Sequence, residues 1–158
     1  MRIFLLVLTA TLTASLMAQQ PAAPKTFASA ADVVAMMAKA KNDRKKDQAN
    51  FIQQILQLPP YNANLEYRAA VGPAAVHEKE AEMFFVIDGS GTLVTGGKLV
   101  GETRNGANLS GTAIEGGTPT KLGKGDFFMV PEGVPHWFSA IDGTIVLMSL
   151  HLPHAPQR

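Results

Sequence analysis

Five ionisable side chains, His77, Lys79, Glu82, His136 and His151, sit among residues of β-strand character that should be filling a core. Two imidazoles and one carboxylate, His77, Glu82 and His136, form a donor set that suits iron(II), manganese or nickel with positions left open for a substrate. Zinc accepts the same types and keeps a fourth place for water. The cofactor these residues imply is one divalent transition metal: Fe, Mn, Ni or Zn. A second reading needs no metal: Lys79 pairs with Glu82 and the cavity takes a small organic ligand directly. In both readings Glu82 needs a cationic partner, because a buried carboxylate is costly without one. Lys79 and His151 are the candidates for acid, base or anion anchor beside that centre.

The elements that must position these groups are short strands. Leu65, Tyr67, Ala69 and Val71 alternate with Glu66, Arg68 and Ala70, the pattern of a strand with one face buried. Tyr67 and Arg68 therefore fall on opposite faces, so at most one of them reaches a pocket. Phe51 to Leu58 ends at Pro59-Pro60, and Met83 to Ile87 is a continuous apolar run, expected of a strand covered on both sides. Phe127 to Val130 is a further strand, closed by Pro131. Gly96-Gly97 and Asp142-Gly143 each lie between strand-like runs and signal two-residue hairpins. Many short strands between turn signals argue a barrel or sandwich, an all-β fold. One helix precedes it: Ser29 and Asp32 form a capping signal, and Val33, Met36, Met37 and Ala40 recur at helical spacing over about Ala30 to Lys41.

Two segments carry a specific resemblance. In GKGDFFMVPEGVPHWF, residues 123–138, Gly125, Pro131, Gly133 and His136 keep the spacing of the second motif of the cupin superfamily; only its final Asn departs, being Ala140. In AAVHEKEAEMFFVIDGSG, residues 74–91, Glu82 and Gly89 match the end of the first motif, where two histidines one residue apart precede the glutamate. Only one of those histidines is present. Either His77 is the second and Ala75 replaces the first, or His77 is the first and Lys79 replaces the second. The resemblance implies an antiparallel cupin barrel (a double-stranded β-helix or jelly roll) with the short helix at its N-terminal side. It also implies a metal or small-molecule site in the barrel and a homodimer, for which the apolar stripe of the helix offers a surface.

His151 enters by strand register. A two-residue hairpin at Asp142-Gly143 would set Ser149 opposite His136, and His151 would then share their face. That makes it a replacement ligand or a donor behind one. Glu78 and Glu80 alternate with His77 and are expected to face solvent. Phe85 and Phe128 are candidate pocket walls, and Met83, Met129 and Met148 candidate core filler. The stretch Leu99 to Leu122 exceeds what a minimal barrel needs and is expected to cover its mouth or an edge.

Composition bounds the rest. The net charge of +1 forms no electrostatic footprint for nucleic acid, and the absence of cysteine excludes disulfides and thiolate metal sites. Arg2 followed by an apolar run to Met17 and by Ala18 reads as a cleaved export signal, too short for a membrane anchor. The expected organisation is a signal peptide over 1–18, linker and amphipathic helix over 19–48, and barrel over 49–158. The mature chain would be periplasmic or secreted, with no membrane attachment after cleavage. Fold alone does not decide function. An exported, metal-binding barrel acting on a small organic substrate stands beside a non-catalytic module that binds or senses a sugar or organic acid.

Overall fold

The computed structural model describes residues 23–154; the expected signal segment and the start of the linker, 19–22, lie outside them. Helix α1 spans Ala30–Asp43. Ser29 caps it: its Oγ accepts from the Asp32 amide at 3.1 Å, and its own amide donates to Asp32 Oδ2 at 2.8 Å. Two donors that helix geometry leaves unpaired are thereby satisfied. Val33, Met36 and Met37 pack on Ile55, Leu65 and Val146, so the apolar stripe covers the outside of the sheet. Lys25 exchanges two backbone hydrogen bonds of 2.8 Å with Gln57, so the linker is already tied to the sheet there.

The strands are β1 (Asn50–Leu58), β2 (Tyr61–Arg68), β3 (Ala74–His77) and β4 (Glu80–Thr95), then β5 (Lys98–Val100), β6 (Thr103–Asn105), β7 (Asn108–Gly111) and β8 (Ala113–Glu115). They finish with β9 (Thr118–Gly123), β10 (Phe127–Val130) and β11 (His136–Pro153). Every pairing among them is antiparallel. The order β1-β2-β11-β3-β7-β6 wraps one side, and β4 lies against β9, β10 and β11. Along β4, Glu82, Phe84 and Val86 are buried; Met83, Phe85 and Ile87 alternate to the outer face. The lumen packs Phe84, Val86, Leu93, Phe138, Ile145 and Leu147 into one apolar cluster.

Both expected hairpins are replaced by longer-range pairing. Gly96 and Gly97 turn the chain, each with φ of +73°, but β5 leaves the sheet and pairs with β8, while the end of β4 pairs with β9. Asp142-Gly143 does not reverse the chain at all. It forms a bulge inside β11, between the pairs Ile141↔Gly91 and Ile145↔Gly89, and Asp142 accepts a 2.8 Å hydrogen bond from Ser90. At the corner Gly89 has φ of +80°, and a Cβ there would come within 2.0 Å of the Thr144 carbonyl oxygen. Only glycine lets the strands cross so closely. Ser149 consequently pairs with Phe84 and Asn64, not His136.

The long stretch after β5 covers an edge. Its β7 pairs with β3 along Ala74–His77, which would otherwise expose unpaired backbone groups. Among the described residues, no helix is long and apolar enough to cross a membrane.

Candidate metal centre

Three strands meet at Glu82. It opens β4 on the lumen side with 4% exposure, and it pairs with His151 near the end of β11. His136, at the start of the same β11, pairs with Ala75 of β3 and is 5% exposed. His77 ends β3. Because β11 bends through its bulges, its first and sixteenth residues return to one place.

The three imidazoles converge on one carboxylate. His136 Nε2 lies 3.2 Å and His77 Nε2 3.3 Å from Glu82 Oε2, and His151 Nε2 lies 3.3 Å from Oε1. Donor atoms of His77, Glu82 and His151 all fall within 4.8 Å of one another. The opposite ring nitrogens face acceptors. His77 Nδ1 is 2.9 Å from Asn108 Oδ1, His151 Nδ1 is 2.8 Å from Glu80 Oε1, and His136 Nδ1 is 3.4 Å from the Val134 carbonyl. Those partners favour the proton on Nδ1, which leaves the Nε2 lone pairs pointing inward. Three lone pairs and a carboxylate that share one space repel unless a cation or protons stand between them.

Electrostatics agree with the geometry. Burial alone would raise the Glu82 carboxyl, but with protons on Nε2 in place of an ion, hydrogen bonds from His136, His151 and His77 overcome it and hold the group below the carboxylate range. His151 is raised to about 9, first by its hydrogen bond with Glu82, and His77 is raised by the same carboxylate against the opposing effect of burial. Around the cavity Glu66, Glu80 and Glu82 stand against Arg68: three negative charges and one positive, a deficit of two. One divalent ion or two imidazoliums would balance it. The donor types and this deficit fit a divalent metal on His77, Glu82 and His151, whose donor atoms share one space, with His136 Nε2 beside them at 3.2 Å from Glu82.

Of the five residues singled out by sequence, four meet here and one does not. Lys79 is exposed, in the turn between β3 and β4 beside Glu132 and His154, and lines no part of the Glu82 cavity. The β3 pleat ends at His77, so the next alternation leaves the sheet. Ala75, by contrast, shares the cavity with His77. The missing motif histidine is therefore the one before His77, and Ala75 stands in its place. His151 comes to the donor cluster although the hairpin that predicted its face is absent. Its pairing with β4, not with His136, puts it there.

Several participants escaped the sequence reading. Glu80, expected in solvent, bonds His151 because β4 restarts its own pleat after the turn. Asn108 reaches His77 from the edge-covering segment, and nothing local marks it. Glu66 and Arg68 face the lumen, whereas Leu65 and Tyr67 turn to the helix, so on β2 the polar face is the inner one. Phe128 stacks on Phe84 in the lumen with centroids 4.6 Å apart, but Phe85 lies outside against Phe127. Met129 is 55% exposed and fills no core.

The sequence matches the cupin family over residues 40–156. The chain belongs to that family. Similar solved structures share the fold at low identity. Iron(II) HppE aligns with a TM-score of 0.52 and 16% identity over 69% of this cupin and 54% of its own length, so this chain spans about half of it. KdgF from Halomonas sp. aligns with a TM-score of 0.51 and 18% identity over 72% of this chain and 93% of its own. Hydroxypropylphosphonic acid epoxidase from S. wedmorenis aligns with a TM-score of 0.50 and 17% identity, covering 66% and 51% of the two chains. No curated protein matches the sequence.

Proposed function

We propose that this cupin is an exported protein that holds one divalent transition metal on His77, Glu82, His136 and His151 and acts on a small organic substrate in the adjoining cavity of about 450 Å³. The observation that carries this reading is the convergence of three Nε2 atoms on one buried carboxylate, each ring held from behind by an acceptor. A bound ion would supply Lewis acidity to a substrate oxygen or to water. The chain's own part is to aim the rings through Asn108, Glu80 and the Val134 carbonyl, and to keep bulk water from Glu82. The export reading rests on the first eighteen residues. The homodimer reading rests on the helix, where Val33, Met36 and Met37 pack on the sheet while the neighbouring Val34 stays 65% exposed. Elemental analysis of untagged protein tests the centre: near one equivalent of transition metal is expected, with loss of it in Glu82→Gln and in His151→Ala. Full metal retention in both variants would refute the assignment.

A second reading has its own support. Glu66, Glu80 and Arg68, the charged groups near the cavity besides the proposed ligands, are all engaged with other side chains, and Lys79 lies elsewhere. A cavity without a free acid or base suits a module that holds a small molecule without turning it over. Ligand-dependent thermal stabilisation with no product formed over many turnover times would select that reading.

A further inference from the structure

The metal-centre reading leaves one charged side chain of the cavity unexplained. Arg68, from β2, lines the same space as His77, Glu82, His136 and His151. Its Nε and Nη2 both donate to Glu66 Oε2, at 2.9 and 2.6 Å, and Asn50 Nδ2 donates to that same oxygen at 2.8 Å. The guanidinium carbon stands 4.4 Å from the centroid of the Phe138 ring. One edge is thus held by Glu66 and one face by Phe138, which fixes the plane of the group. The third nitrogen, Nη1, has no hydrogen-bond partner among the described residues. Were neutralising Glu66 its whole purpose, the fork would engage both carboxylate oxygens; here one oxygen takes both donors and an edge of the arginine stays free.

We propose that Arg68 is the anion anchor of this cavity, and that the molecule it receives is a small organic carboxylate whose other end reaches the His77–Glu82–His136–His151 centre. The second half of this statement rests on the metal-centre reading; the first does not. A guanidinium held in one plane favours a planar oxyanion. Glu66 and Glu82 line the space and Glu80 stands behind His151, so a dianionic phosphate would meet more opposing charge than a singly charged carboxylate on the one donor edge.

The test is a binding titration of the cobalt(II)-loaded chain with glycolate and 3-hydroxypropionate, each against its neutral amide, and with inorganic phosphate. Cobalt absorption and calorimetry report binding. At least one carboxylate is expected to bind about tenfold or more tighter than its amide, the range of a charge-assisted hydrogen bond, and tighter than phosphate. That preference should vanish in Arg68→Gln and survive in part in Arg68→Lys, with cobalt stoichiometry unchanged. Arg68→Gln strands Glu66, so the double variant Glu66→Gln/Arg68→Gln, which removes both charges together, guards against misfolding and should lose the preference too. No carboxylate preference in the parent chain, a preference that persists in the variants, or tighter phosphate binding would each overturn the proposal. If cobalt does not bind at all, the metal reading fails separately. The same ligand pairs, followed by thermal denaturation of the metal-free chain, then decide Arg68 alone: preference lost with Arg68 supports it, and no preference refutes it.

Discussion

The barrel interior has two ends built by one rule to opposite effect. At one end the inward positions of β4 and β11 are Phe84, Val86, Ile145 and Leu147, all fully buried. One or two steps along the same strands they become Glu82 and His151. Backbone geometry is alike at both ends; only the side chains change. The apolar end is stabilised by packing, which tolerates no gap. The polar end is held by a network in which each ring is fixed by a partner behind it, and its stability depends on what stands at the centre. This cupin thus keeps rigidity and chemistry on the same strands, a few residues apart.

The comparison breaks most visibly at the apolar end. Phe84→Ala removes a ring stacked on Phe128 and is expected to cost about 3–5 kcal/mol, read by denaturant unfolding. The folded fraction should keep its metal, since Phe84 supplies no donor atom and meets His136 only edge-on, with ring centroids 6.3 Å apart. At the polar end, Asn108→Ala and Glu80→Gln should each weaken metal binding about tenfold, as loss of a ring-orienting partner does, with little change in the unfolding midpoint of the metal-free protein. Competition titration against a chelator measures this. Equal effects of all three substitutions on stability and metal would dissolve the distinction between the ends.

A pH series sharpens it further. In the metal-free chain His151 is raised from 6.5 to about 9. A group raised on folding contributes stability that is complete below its unfolded value and is lost as pH climbs through the folded one. The metal-free protein should therefore lose stability between about pH 6.5 and 9. Metal binding has the opposite sign, because protons and the ion compete for the same lone pairs, so affinity should rise over that interval. Melting temperatures with and without metal, measured across the range, would show the two curves diverging. The smallest effect belongs to Lys79→Ala. Exposed in its turn, it should leave metal content and stability unchanged, and a loss of either would return Lys79 to the site.

Much of this was legible without coordinates, and the illegible part has a common cause. The resemblance to the two cupin motifs pointed to His77, Glu82 and His136, and the glycines and proline at the motif positions are where the strands turn. Alternation marked Leu65 and Tyr67 as buried, but it could not say that their layer lies under the helix and the Glu66–Arg68 layer lies in the lumen. Burial looks the same on either side of a sheet covered twice. Asp142-Gly143 has the chemistry of a hairpin and became a bulge, since pairing β11 with β4 along its length buries more than folding it on itself would.

Strand periodicity and turn signals determined by themselves that this chain is all-β, a barrel or a sandwich, because those properties repeat within a few residues; the resemblance of its two motifs to the cupin superfamily implied the closed barrel and the histidine-carboxylate centre. Which histidine was missing, that His151 joins the cluster, and that Asn108, Glu80 and Arg68 surround it were decided by tertiary structure alone. Such contacts join residues as far apart in sequence as Glu80 and His151, 71 positions, and only the closure of the sheet, with its bulges, brings them within reach.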